Sequence, residues 1–391
     1  IRISVNEIHH GVGQAIGMNG EQMVSGSPIT GAASDWIITN NNFHDSIDTF
    51  SGTSVGISET IIISSASHDI LIEGNTLRNW GSITISSTAN GGVSSQIDIK
   101  NNIIVPAAGG KGGVFLFDDC NNCSIVDNII DVSNTTGSGV DLDGTLTAGH
   151  GCANLRIEGN IIRRRAGVNG QYGITVNYSA SSTNLHIDGN TFMGATASDA
   201  SPDIYIPALI AGLKIRRNMF LSTTQAICVI NGSGVVVTDN VCTVGGIMVK
   251  GVTDGVVSSN VVTLTGNYND FGGTLSNVGI IVWSSPRCQT RNNWITATYG
   301  IGIYGSTTTD GDFTGNWIKA TTGHVVEANV SGIPDRNRCA PNCLVGTPVV
   351  TILGASSVGI TSVTGSRGAN AALASLLTAL AKTGLIVDNS T

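Results

Sequence analysis

Two aspartates two residues apart, Asp141 and Asp143, lie in a Val-Asp-Leu-Asp stretch. Its alternation puts Val140 and Leu142 on one face of a strand and both carboxylates on the other. An extended chain separates the two Cα atoms by about 6.6 Å. Asp118 and Asp119 follow a comparable stretch, Val114-Phe115-Leu116-Phe117. Glycoside hydrolysis uses two carboxyl groups, one as acid and one as base or nucleophile, at about 5–5.5 Å for retention or about 6.5–9.5 Å for inversion. Crowding of like charges raises one pKa and leaves the other low, which separates the roles. Asp118, Asp141 and Asp143 are therefore the candidate catalytic group. Phe115, Phe117, Asn177, Tyr178 and Tyr205 flank it as candidate sugar contacts, because aromatic faces with polar tips suit carbohydrate. Lys250, Trp283 and Tyr304 take matching positions further along and read as a binding strip, which could also supply the base an eliminating enzyme needs. The same aspartates also fit solvated surface groups or a calcium site. A separate group, Glu59, His68, Asp69 and Glu73, falls within two repeats. No motif calls for a cofactor or a resident metal.

The matching positions exist because the chain repeats. Ile157-Glu158-Gly159-Asn160-Ile161-Ile162 reads as apolar, two small or polar residues, Asn, any residue, apolar. Its Asn returns at Asn6, Asn41, Asn75, Asn102, Asn128, Asn160, Asn190, Asn218, Asn240, Asn260, Asn293 and Asn316, at intervals of 20 to 35 residues. Such a period marks a repeat architecture. A second apolar strand precedes each Asn, as in Gly173-Ile174-Thr175-Val176-Asn177 and Gly279-Ile280-Ile281-Val282-Trp283. Two short strands and a tight turn per repeat predict an all-β fold, a single-stranded parallel β-helix whose coils pair edge to edge. Stacked asparagines would then form a buried ladder, each amide bonding the next.

The totals agree. Gly accounts for 51 of 391 residues and charged residues for only 12%, as stacked turns around Ile and Val columns require. A formal net charge of −8 argues against a nucleic-acid partner. No uninterrupted apolar run reaches the roughly 18 residues of a membrane span. The solenoid is expected over residues 1–320, starting mid-coil at Ile3-Ser4-Val5-Asn6, so that a cap or attachment part is expected before it. Residues 321–391 are expected to form a small β-rich region with a short terminal helix, where Leu373, Leu376, Leu377 and Leu380 make one apolar stripe. That helix would pack on the solenoid end or on a symmetry mate. Cys120 and Cys152 occupy equivalent places in consecutive repeats near Cys123 and His150, leaving a disulfide, a metal cluster or packed thiols open. Cys339 and Cys343 are spaced to close a small loop. The Arg163-Arg164-Arg165 run and His9-His10 are expected to face solvent or a neighbour.

The coils resemble the parallel β-helix repeats shared by pectate-lyase-like proteins, epimerases and phage tailspikes. The ending, residues 370–387, resembles the C-terminal endings of phage tail proteins. Together they are similar to a bacteriophage tailspike. The resemblance implies a right-handed solenoid, a homotrimer on a virion tail, and binding and cleavage of a host capsule or lipopolysaccharide glycan. It carries over no catalytic motif. Two other classes share the fold: a non-catalytic receptor-binding or structural tail protein, and a secreted bacterial polysaccharide lyase or epimerase.

Overall fold

The computed structural model describes residues 1–9, 15–19, 21–24, 27–30, 34–44, 59–64, 67–86, 93–108, 110, 112–117, 119–144, 151–168, 170–178, 182–194, 201–221, 225–264, 277–305, 307–328, 337, 339, 342–345, 350–353, 361–363 and 386–388. Asp118, His150, the expected terminal helix and most of the long inter-repeat segments lie outside these residues.

One coil shows how the sequence becomes the fold. Val114–Phe117 lies in a first wall, Ser124–Val126 in a second, and Ile129–Asp131 in a third, before Val140–Asp143 returns to the first wall one level on. Each strand pairs in parallel with its counterpart in the next coil: Val114 with Val140, Ile125 with Ile157, Ile130 with Ile162. Thirty-seven of the described strands join in this one array. Glu21–Val24 and Ser27–Thr30 form a separate antiparallel pair, and Thr361–Val363 pairs in parallel with Ile386–Asp388. The parallel array continues beyond the expected boundary at 320. Trp317–Ala328 pairs with Cys343–Val345 and with Val350–Leu353.

Alternation fills the interior. Ile83, Val114, Val140, Ile174, Ile204, Ile227, Ile247, Ile280 and Ile301 stack as one buried column of the first wall. Phe192 and Phe220 stack inside the third wall with centroids 4.9 Å apart.

The turn between the second and third walls carries the ladder. Each Asn Oδ1 accepts both the backbone N–H and the side-chain N–H of the preceding coil's Asn. Asn128 N and Nδ2 donate to Asn160 Oδ1 at 2.9 and 3.0 Å, and Asn160 does the same to Asn190. Asn160 Nδ2 also donates to the Ile125 carbonyl. The ladder runs from Asn6 through Asn316 and on to Asn342, one step past the last copy of the signature. The residue before each Asn, from Val5 and Asn40 to Asn292 and Gly315, has φ near +55 to +70°. That explains the small or polar residue there, since Gly and Asn tolerate the left-handed conformation best. At Gly159 a Cβ would also clash with Asp127 Oδ1 of the coil before.

Candidate functional site

The first wall turns two columns outward. Phe115, Asp141, Thr175 and Tyr205 pair in sequence in one column, and Phe117, Asp143 and Asn177 in the other. Asp141 and Asp143 share a cavity of about 390 Å³ with Thr175, Asn177, Tyr172 and Tyr205. Burial, and then the negative charge of Asp143, push the Asp141 carboxyl up to about 7. Asp141 therefore holds its proton near neutrality, which suits a group that must donate it. Tyr172 and Tyr205 stack with centroids 4.8 Å apart at 18°. Burial is the first cause raising both phenols above their ordinary range. Phe115 and Phe117 stack on the other side of the pair at 5.6 Å.

A buried network builds the wall that carries Tyr172. Arg164 Nε donates to Asp203 Oδ1 at 2.8 Å, with both side chains at most 2% exposed. The Arg164 guanidinium also donates to the carbonyls of Gln171 and Ser201. Gln171 Nε2 donates to the carbonyls of Val132, Thr135 and Gly137, and its Oε1 accepts from Arg165 N. Tyr172 N donates to Ser138 Oγ at 3.3 Å. Three consecutive coils are tied together beside the cavity. The expectation that the whole arginine run faces outward is thus corrected at Arg164. It shares the parity of the buried Ile162, so alternation turns it inward, and an ion partner makes that tolerable.

Several candidates lie elsewhere. Tyr178, expected to stack on sugar, is 5% exposed and belongs to the core. It has the parity of Ile174 and Val176, so its ring points into the coil, near Cys152, and burial raises its hydroxyl well above the ordinary range. Phe115 and Tyr304 are buried on the outside of the wall and offer little ring face. Lys250 and Trp283 stand apart from the cavity, with the Lys250 ammonium 4.3 Å from the centre of the Trp283 ring. His68 pairs with Asp69 at 2.8 Å, while Glu73 meets Lys100 at 3.6 Å, so these three have separate partners, and the Glu59 side chain lies outside the described residues. Cys120, Cys123 and Cys152 are buried and, like Cys339 and Cys343, form no disulfide among the described residues. Burial pushes Cys123 up to about 12 and Cys152 to about 11, so both remain protonated at neutral pH. Among the described residues no group of three or more His, Cys, Asp or Glu is placed to hold a metal, and no helix is long and apolar enough to cross a membrane. The sequence reading missed Tyr172, Gln171 and Asp203, which sit between strands where periodicity carries no signal.

Three-walled coils, a buried asparagine ladder and a polar cavity on one outer wall define a parallel β-helix with a candidate site on its side. The chain belongs to the family described as the right handed beta helix region, which matches residues 29–206 and 209–372. No curated protein sequence matches it. Among solved structures it is similar to the A-module of the Azotobacter vinelandii mannuronan C-5 epimerase AlgE6, at 11% identity and a TM-score of 0.42 over 91% of each chain. It is also similar to tailspike protein 3 of bacteriophage CBA120, at 11% identity and a TM-score of 0.44, over 94% of this chain and 53% of that one. A third is PfbA, a surface adhesin of Streptococcus pneumoniae, at 11% identity and a TM-score of 0.33, over 82% of this chain and 84% of the other.

Proposed function

We propose that this chain binds and hydrolyses a polysaccharide on the first wall, with Asp141 as the proton donor and Asp143 as base or nucleophile. One observation carries the reading: two carboxylates on adjacent outward positions of Val140–Asp143 share a cavity, and one is pushed up to about 7. That is the separation of roles a carboxylate pair needs to deliver a proton and accept one. Tyr205, Asn177 and Phe117 flank the pair as sugar contacts. Elimination from a uronate is the alternative chemistry and needs a base beside the cavity. Tyr172 and Tyr205 are the nearby phenols, and burial keeps them protonated, which favours hydrolysis.

The biological setting that fits is a phage tailspike on the virion tail, acting on capsule or the O-chain of lipopolysaccharide. The third wall supports assembly into a trimer. Ile129, Ile161, Met219, Val261 and Trp294 are 40–50% exposed in one outward column, with Thr191 between Ile161 and Met219 and Val241 between Met219 and Val261. A long apolar stripe is a surface that copies of a chain cover.

The test is incubation with surface polysaccharides from candidate hosts, following reducing ends and the ultraviolet absorbance of unsaturated uronate. New reducing ends without that absorbance, lost in Asp141→Asn and Asp143→Asn proteins that still fold and bind, are the expected result. An Asp118→Asn protein separates the third carboxylate from the pair. An ultraviolet signal would replace hydrolysis with elimination. A glycan bound but never cut would leave a receptor-binding protein.

A further inference from the structure

Outside the carboxylate cavity, the same wall carries a positioned cation. Ile230 pairs with Lys250, Lys250 with Trp283, and Trp283 with Tyr304, so the four hold successive places in one outward column. The indole is enclosed along that column. Lys250 Nζ lies 4.3 Å from its centre, and the Tyr304 ring tilts at 34° with its centroid 5.7 Å away. Trp283 is therefore not a platform for a sugar. It is a prop that fixes the ammonium, which removes much of the rotamer freedom a lysine must otherwise lose on binding. Several cations of the outer walls are instead neutralised by a carboxylate. Arg156 is paired with Glu158, Arg217 with Asp188, Arg287 with Asp254 and Arg291 with Asp312. Among the described residues no carboxylate pairs with Lys250.

Four steps of strand pairing separate Asp143 from Lys250, through Ile174–Asn177, Ile204–Ile206 and Gln225–Ser233, or roughly 19 Å at the usual strand spacing. An acidic sugar seated between Asp141 and Asp143 meets repulsion, and one seated at Lys250 meets attraction. We infer that Lys250, propped by Trp283, is an anchoring subsite for the carboxylate of an acidic sugar, on the same glycan whose neutral unit occupies the cavity. The inference rests on the proposed glycan reading of the cavity and adds to it. The ligand is a charged chain of several sugar units, long enough to reach both places, with its acidic and neutral units in a fixed register.

The experiment measures binding of short and long hyaluronan oligomers, in which acidic and neutral sugars alternate, and of the same oligomers after reduction of their carboxyl groups. Tryptophan fluorescence and calorimetry are the readouts. Wild type, Lys250→Met, Lys250→Arg and Asp143→Asn proteins are compared, with circular dichroism as the check on folding. The expected result is an affinity gain of about tenfold from short to long oligomers. Carboxyl reduction and Lys250→Met erase that gain, Lys250→Arg keeps most of it, and added salt weakens it. Equal binding of native and reduced oligomers, no acidic oligomer binding at all, or a gain that survives Lys250→Met overturns the subsite. The Asp143→Asn protein separates the two ideas. It keeps the Lys250-dependent gain whether or not the wild type cuts any glycan, whereas cleavage indifferent to Lys250 and to charge leaves the cavity reading standing and this one refuted.

Discussion

The buried column of asparagines and the outward column through Phe117, Asp143 and Asn177 climb the same coils at the same pitch, but they obey opposite rules. Inside, one residue type recurs at every level, because each amide satisfies the one before it. Outside, chemistry changes at each step: Phe117, Asp143, Asn177, then Ile230, Lys250, Trp283 and Tyr304. A column whose partner is the next coil repeats itself. Repetition of Asp143 outside would stack like charges directly opposite one another, which destabilises a sheet. The changing column is free of the rule that pairing between coils imposes on the asparagines, which leaves it open to the binding role proposed for it.

Substitutions that separate stability from activity test this contrast. The largest effect is expected at Asp143. Asp143→Asn keeps the shape of the wall and removes the proposed base or nucleophile, so turnover of a cleaved glycan falls by about a thousandfold, with the melting temperature nearly unchanged. A variant that melts early would mean the outward column is structural after all. Next comes the ladder. Asn160→Ala deletes the acceptor of Asn128 N and Nδ2, together with the donor to Asn190 Oδ1 and the Ile125 carbonyl, all buried. Denaturant unfolding should show a loss of about 3 kcal/mol. A loss no larger than that of an exposed Asn would show that the repeated column contributes little.

Asp141 joins the two rules, because its carboxyl belongs to the outward column yet is largely buried. In the folded chain it titrates near 7, against an ordinary value of 3.8 when unfolded. Between those values the folded chain holds a proton the unfolded chain has released, so stability falls as pH rises through that window. Asp141→Asn has no such proton to lose. It should unfold later than wild type above about pH 7, by about 1–2 kcal/mol, and no later below about pH 4. The activity of wild type should decline over the same upper range, as the acid loses its proton. Equal stability of the two proteins at both ends would place Asp141 in water and end its role as acid.

Sequence reading succeeds where type and spacing are bound to backbone geometry. The Asn, the left-handed residue before it and the apolar flanks all follow from one turn, so the signature at Ile157-Glu158-Gly159-Asn160 carries the coil. The step at Asn342 shows its limit, since Cys339 stands three places earlier where Ile or Val is usual, and the ladder bond forms regardless. Parity placed Asp141 and Asp143 outward together, and the same parity turns Tyr178 and Arg164 inward. The segment between walls is less legible. Tyr172 reaches the cavity because the Arg164, Asp203 and Gln171 network fixes its loop, and contacts between coils of uneven length leave no periodic trace.

The smallest effect separates a contact residue from a packing residue within the outward column itself. Tyr205 sits between Thr175 and Cys228 in register, and its ring lies against Tyr172. If that stack is only wall material, Tyr205→Leu keeps most of the apolar contact and costs both stability and activity little. If the ring borders bound sugar, the loss of its flat face weakens binding by roughly 1 kcal/mol, as aromatic contacts do beyond their buried area. KM for a long glycan then rises severalfold while kcat and the melting temperature hold. Phe117→Leu, on the opposite side of the carboxylates, should behave alike, because Phe117 is the half-buried member of its own stacked pair. A rise in KM for both variants means that sugar crosses the cavity from coil to coil, along the axis of the solenoid. A rise for Tyr205→Leu alone means that the glycan leaves the wall before reaching Phe117, and runs only in the direction of Lys250.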